Sequence, residues 1–354
     1  MRRIALLAAL AATLAGCQTT GESVGTSRNE LYDGGRSVLY KVQKGAETTD
    51  QAMRMASAAY AAGDTDQALY LFLRASELDA KRYDALVWVG RIHRERGNSQ
   101  LAELALRDVL KNDPANLDAL SELGTLEIGM RRYAEAQQTL GSALRLDQQR
   151  FGDVVPPGEL ADLSRLMVDE KSPLRVYTGL GVLADLGNHF DRAQRYYQLA
   201  MQISPRSAMV ANSQGYSHYL AGDWPAARAA YRQALGFDSS YKPAWRNYGM
   251  LLARMGQYEE ALSAFEQVEA RAEASNDVGY ICLIEGKLEE AERFFRSAID
   301  QSPAHYEVAF QNLKRVQQIR RIRNEGGSVG ELQAPQAPVV SSVSLPAALQ
   351  IGVP

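Results

Sequence analysis

Seven alanines stand in register along this chain: Ala68, Ala102, Ala136, Ala193, Ala227, Ala261 and Ala291. The first three are 34 residues apart, as are Ala193, Ala227 and Ala261, and the last step shortens to 30. A fixed period of this length marks a repeated supersecondary unit that cannot bury its apolar face alone and must stack on its neighbours. The blocks begin at Thr49, Tyr83, Leu117, Leu174, Ala208, Lys242 and Ala272, which puts alanine at the twentieth place of each. The eighth place is also small: Ala56, Gly90, Gly124, Gly181, Gly215, Gly249 and Gly279. Small residues in these two columns let two helices cross at close range. A bulky column at place 24, comprising Phe72, Leu106, Leu140, Tyr197, Tyr231, Phe265 and Phe295, packs the second helix. Gly63, Gly97, Gly187, Gly222, Gly256 and Gly286 mark the turn between helices, where glycine takes positive φ without strain. Pro114, Pro205 and Pro303 stop second helices. Three departures stand out: Arg131 replaces the third turn glycine, the fourth block carries one extra residue between Gly187 and Ala193, and the sixth has lost about one helical turn near residues 269–273.

These columns resemble the tetratricopeptide repeat. The resemblance implies an all-α superhelical solenoid of about seven helix-turn-helix repeats, whose first helices line a concave groove that receives a protein or peptide segment. Residues 306–323, YEVAFQNLKRVQQIRRIR, suit a C-terminal capping helix with its basic residues outward. In such arrays the second, fifth, ninth and twelfth places face the groove. The second block then offers Val87, Arg91 and Arg94, and the fifth offers Met209, Asn212, Tyr216 and Tyr219. The sixth adds Arg246 and Met250, and the seventh Asn276 and Tyr280. Tyrosine, arginine and asparagine make adaptable contacts at modest entropic cost. Packing between neighbouring first helices is the competing role for Tyr216, Tyr219 and Tyr280.

The ends of the chain read differently. Arg2 and Arg3, an apolar run over residues 4–14 and the small pair Ala15-Gly16 have the form of a secretory signal, with a run about half the ~20 residues that a membrane span needs. The stretch Leu14-Ala15-Gly16-Cys17 resembles the lipobox of bacterial lipoproteins, which implies lipidation at Cys17 and, with Gln18 following, an outer-membrane anchor facing the periplasm. The organisation is then a signal peptide (1–16), a lipidated flexible tether (17–48), a three-repeat arm (49–150), an insertion (151–173), a four-repeat arm (174–305), the capping helix and a disordered tail (324–354). The insertion contains Pro156-Pro157-Gly158 and a candidate helix over residues 159–170, and it joins the two arms.

Signals for chemistry are scarce. A formal net charge of −3 argues against a nucleic-acid partner. His93, His218 and Cys282 occupy the eleventh place, where a packing role is expected, and no histidine or cysteine stands at metal-ligand spacing. No phosphate-binding, dinucleotide or nucleophile motif is present, so the reading is a binding protein, not an enzyme, with no cofactor or metal. A lipobox ahead of such repeats resembles the TadD-type lipoproteins of tight-adherence (Flp) pilus systems and the pilotins of type IV pili. That resemblance implies a scaffold that helps an outer-membrane secretin, or another pilus-assembly component, to localise or assemble. An adaptor for periplasmic proteases or cell-wall enzymes is the alternative on the same fold.

Overall fold

The repeat register sets where each helix starts. The computed structural model describes residues 46–152 and 163–324, and its regular elements are helices throughout. The repeats are α1 (Thr49–Ala61) with α2 (Thr65–Leu78), α3 (Tyr83–Glu95) with α4 (Ser99–Asn112), and α5 (Leu117–Gly129) with α6 (Tyr133–Gln149). They continue as α7 (Leu174–Leu186) with α8 (Phe190–Ile203), α9 (Ala208–Leu220) with α10 (Trp224–Phe237), α11 (Lys242–Arg254) with α12 (Tyr258–Phe265), and α13 (Arg271–Ile284) with α14 (Leu288–Gln301). The helix α15 (Glu307–Asn324) closes the stack, burying Ala309, Leu313 and Val316, and Arg320 pairs with Glu289 and Glu292 of α14 at 2.9 and 2.6 Å. Caps begin several of these helices: Thr48, Asp64, Asn116, Ser207 and Asp223 each accept a hydrogen bond from a backbone N–H three residues on. None of the described helices is long and apolar enough to cross a membrane.

The three columns interlock. All seven alanines of place 20 are fully buried. The bulky residue of place 24 lies directly over the small residue of place 8: a β-carbon on Gly90 would stand 2.7 Å from Leu106, and one on Gly215 2.7 Å from Tyr231. The two helices of a repeat meet at that contact, and any larger side chain would hold them apart.

Two departures resolve differently from the sequence expectation. The left-handed turn residue is the fifteenth of every block, and in the third Arg131 itself adopts φ 62°. In the fourth block it is Asn188, at φ 58°, while Gly187 caps α7 at φ −86°. The fourth block therefore carries no extra residue; the glycine sits one place early and asparagine, the non-glycine residue best suited to this region, takes the turn. The shortening of the sixth block falls at the end of α12, which stops at Phe265 after 8 residues where α2, α4, α8, α10 and α14 have 14. Val268 and Glu269 both donate to the Phe265 carbonyl, and Glu273 already belongs to α13. One consequence concerns the fourth place of the blocks. Ala52, Leu86, Leu120, Tyr177, Ala211 and Ser275 are buried there, whereas Trp245 of the shortened block is half-exposed.

The insertion does not divide the stack. Helix α7 packs on α5 and α6 as α5 packs on α3 and α4, and one apolar core runs across the junction through Leu140, Leu144, Tyr177 and Tyr197. The returning segment is latched to the end of α6. The Gln148 amide donates to the Met167 carbonyl at 2.7 Å and accepts from its N–H at 3.1 Å, and Arg150 bridges Asp147 and Asp169. The helix expected over residues 159–170 is therefore not continued: Leu163–Arg165 is a single 3-10 turn, and the chain beyond it is irregular because Gln148 claims the Met167 backbone. Residues 153–162, residues 1–45 with the signal, Cys17 and most of the tether, and the tail from 325 lie outside the described residues.

Candidate concave binding site

Helix α5, LDALSELGTLEIG, is flanked by α3 and α7, so residues 119–128 are buried, and among them is Glu122 at 1 % exposure. An ionised carboxylate at that depth costs several kcal/mol unless it is paired. Three arginines from two helices pair it. Arg91 Nη2 of α3 lies 2.6 Å from Oε1, Arg94 Nε of α3 3.2 Å from Oε2, and Arg175 Nε of α7 3.2 Å from Oε1. Burial opposes ionisation of Glu122, but Arg175, Arg94 and Arg91 together outweigh it and hold the carboxyl below the usual range. Burial also lowers Arg175, partly countered by Glu122.

The cluster opens into a cavity of about 270 Å³ on the first-helix face of the stack, lined also by Asp118, Ser121, Leu174 and Met209. The Arg91 guanidinium lies 4.3 Å from the centre of the Trp88 ring, which fixes its plane. Each guanidinium has five N–H donors, whereas a carboxylate offers about four acceptor sites, so Glu122 does not saturate three arginines. Nη2 of Arg94 is buried without a hydrogen-bond acceptor, 3.5 Å from Glu95 Oε1. The site is thus rich in fixed donors suited to carbonyl oxygens and carboxylates of an extended chain.

The structure brings Arg91 and Arg94 together, keeps Met209 on the wall of the same cavity, and sends the other expected groove residues elsewhere. Asn212 is fully buried and accepts a hydrogen bond from Asn247 at 3.0 Å; Asn276 is fully buried and accepts one from Asn312 of α15 at 3.0 Å. Both are internal links between neighbouring helices, not groove contacts, because the fifth place in these blocks is covered by the next first helix. Val87 is buried for the same reason. Tyr219 is also buried, stacked on half-buried Tyr216 at 6.0 Å, and its hydroxyl accepts from Arg254 at 3.0 Å. Met250 and Tyr280 are half-buried against the core of the last repeats. Arg246 faces a separate acidic group, 3.6 Å from Glu269, with Asp277 and Glu273 close by. Burial, with Asp277 next, pushes Glu269 up, and burial likewise raises Asp277.

Applying the same places to the third and fourth blocks identifies Asp118, Ser121 and Arg175, a signal that was legible. Glu122 at the sixth place is one of three acids on this helix, with Asp118 and Glu127, and nothing in the sequence marks it as the one on which Arg91, Arg94 and Arg175 converge. His93 is fully buried, and burial raises the Cys282 thiol to about 11, as befits packing residues of the eleventh place.

A tetratricopeptide repeat family model matches residues 53–116, 182–242 and 247–306. The chain is similar to the cell division cycle protein 16 homolog of Homo sapiens, 25% identical over 133 residues that cover 34% of this chain and 22% of that protein. It is also similar to peroxisome biogenesis protein 5 of Arabidopsis thaliana, 34% identical over 121 residues, covering 31% and 16% respectively. The chain thus spans less than a quarter of the length of either relative. Among solved structures, the APC/C hetero-tetramer Cut9–Hcn1 superposes with a TM-score of 0.54 at 16% identity, over 79% of this chain and 51% of the other, a likeness of fold.

Proposed function

From the premise that this chain belongs to the tetratricopeptide repeat family of protein-interaction scaffolds, we propose that it is a lipid-anchored periplasmic scaffold that holds an extended segment of a pilus-assembly partner, such as a secretin, in its concave groove. The observation that carries the binding part is the convergence of Arg91, Arg94 and Arg175 on Glu122 beside an open cavity. Guanidinium groups held in place by a buried carboxylate lose little entropy when a ligand docks, so a segment with free carbonyls or an acidic side chain is favoured there. The anchor and the pilus assignment rest on LAGC ahead of the repeats and on the resemblance to TadD-type lipoproteins. Several acyl chains, at ~0.8 kcal/mol per buried CH2, hold such a protein on a bilayer without a spanning helix.

A photoreactive amino acid at Met209, on the cavity wall, tests the groove in cells. The expected adduct contains a secretin subunit or another pilus-assembly component. An adduct with a periplasmic protease or cell-wall enzyme would replace the pilus reading by an adaptor role, and adducts only from exposed Gln233 on α10 would remove the concave face from consideration. Cys17→Ser tests the anchor separately: lipid labelling and membrane retention should both be lost, and unchanged labelling would overturn it.

A further inference from the structure

The short second helix of the sixth repeat leaves a second cavity, away from the groove, of about 370 Å³. Its floor is Trp245, Tyr248 and Leu252 of α11, and its rim carries Glu259 and Glu260 from the first turn of α12 with Gln267 beyond its end. The two helices of a repeat run antiparallel, so the last turns of a second helix cover the fourth residue of the first. With α12 stopping at Phe265 those turns are absent, and Trp245 is the half-exposed exception in a column that is otherwise buried. Its ring is nevertheless held, because the indole N–H donates to the Ser239 carbonyl at 2.8 Å.

We infer that this cavity is a docking site for a lysine or arginine side chain, flanked by an apolar residue, on a segment of a partner protein. The argument is charge complementarity over a fixed aromatic floor. The faces of Trp245 and Tyr248 carry the negative end of the ring quadrupole and attract a cation, while Leu252 and the rings receive its aliphatic stem. Glu260 is 3.6 Å from Arg228, and Glu259 has no ion pair among the described residues, so the rim keeps a negative excess. The chain's own C-terminal segment, residues 325–354, contains no lysine or arginine and cannot supply the occupant.

The experiment uses the full chain with 15N-labelled tryptophan and two probes, acetyl-Leu-Arg-Leu-amide and acetyl-Leu-Glu-Leu-amide. There are three indole signals, and that of Trp245 is assigned by its loss in Trp245→Phe. The arginine peptide should move the Trp245 signal saturably and the glutamate peptide should not. Glu259→Gln with Glu260→Gln, both exposed changes, should weaken the response about fivefold or more. Equal response to both peptides, no response, or an unaltered response in the double variant would each overturn the proposal. Trp88, under Arg91, reports the concave site independently, so the failure of one site is distinguishable from the failure of the other.

Discussion

The Tyr197 ring lies so close over Gly181 that a β-carbon on the glycine would stand 2.6 Å from Cε1. The ring cannot swing aside, because its hydroxyl donates to Asp185 Oδ2 at 2.8 Å. Gly181→Ala should therefore cost about 1–3 kcal/mol by overpacking. Gly236→Ala, on α10 with nothing near the added carbon, should instead stabilise by roughly 0.5–1 kcal/mol through helix propensity. Urea unfolding of both variants checks the pair; loss of stability in both would mean that the contact is not what excludes a side chain.

Asp185 predicts a pH dependence. It is buried, accepts from Tyr197 and from Ser217 at 2.6 Å, and has no cationic partner among the described residues, so burial raises it from 3.8 to about 6 despite those two donors. A carboxyl raised in the folded state contributes stability that is complete below 3.8 and is lost as pH rises through about 6. The effect is roughly 3 kcal/mol. Asp185→Asn should lessen the fall of melting temperature with rising pH across that window and raise it at neutral pH, while the slope in the same direction from Glu269 and Asp277 persists. A wild-type slope in the variant would exclude Asp185 as its source.

Glu122 acts with the opposite sign. Its stabilisation is present above the ordinary carboxylate value of 4.5 and is lost as pH falls through its depressed folded value. Glu122→Gln leaves Arg91, Arg94 and Arg175 without their shared anion and should cost about 3–5 kcal/mol. Adding Arg175→Met should recover part of that loss in denaturant titrations. If the double variant is worse than the single by the full cost of Arg175→Met alone, the two residues are uncoupled.

Asn212→Ala should lower stability by about 1–3 kcal/mol by leaving the buried Asn247 amide without its acceptor. Asn212→Ala with Asn247→Ala should cost less than the sum of the single changes, and strict additivity in a double-mutant cycle would rule out the link.

Much of the architecture was legible before any coordinates, because the period and the columns at places 8, 20 and 24 are local facts. A helix of 3.6 residues per turn converts each column into a face, and a bulky residue opposite glycine has one sensible partner, its own repeat's other helix. Six of the seven first helices begin at the residue that the period marks. Turn chemistry was less secure: Arg131 holds a conformation that the register demands and its side chain does not advertise, and Asn188, which is suited to it, was overshadowed by the neighbouring Gly187.

Tertiary structure alone decided which polar residues meet. Asn212 and Asn247, or Glu122 and Arg175, lie dozens of residues apart on different helices, and their contact depends on how far each repeat is rotated on the last. That rotation comes from packing between repeats, which no single repeat encodes. It turned the fifth place inward at Asn212 and Asn276, left Arg91 and Arg94 around a buried glutamate, and, where α12 ends early, uncovered Trp245. The periodic sequence determined the solenoid because helix pairing within a repeat is local; the solenoid determined its binding surfaces because burial between repeats is not.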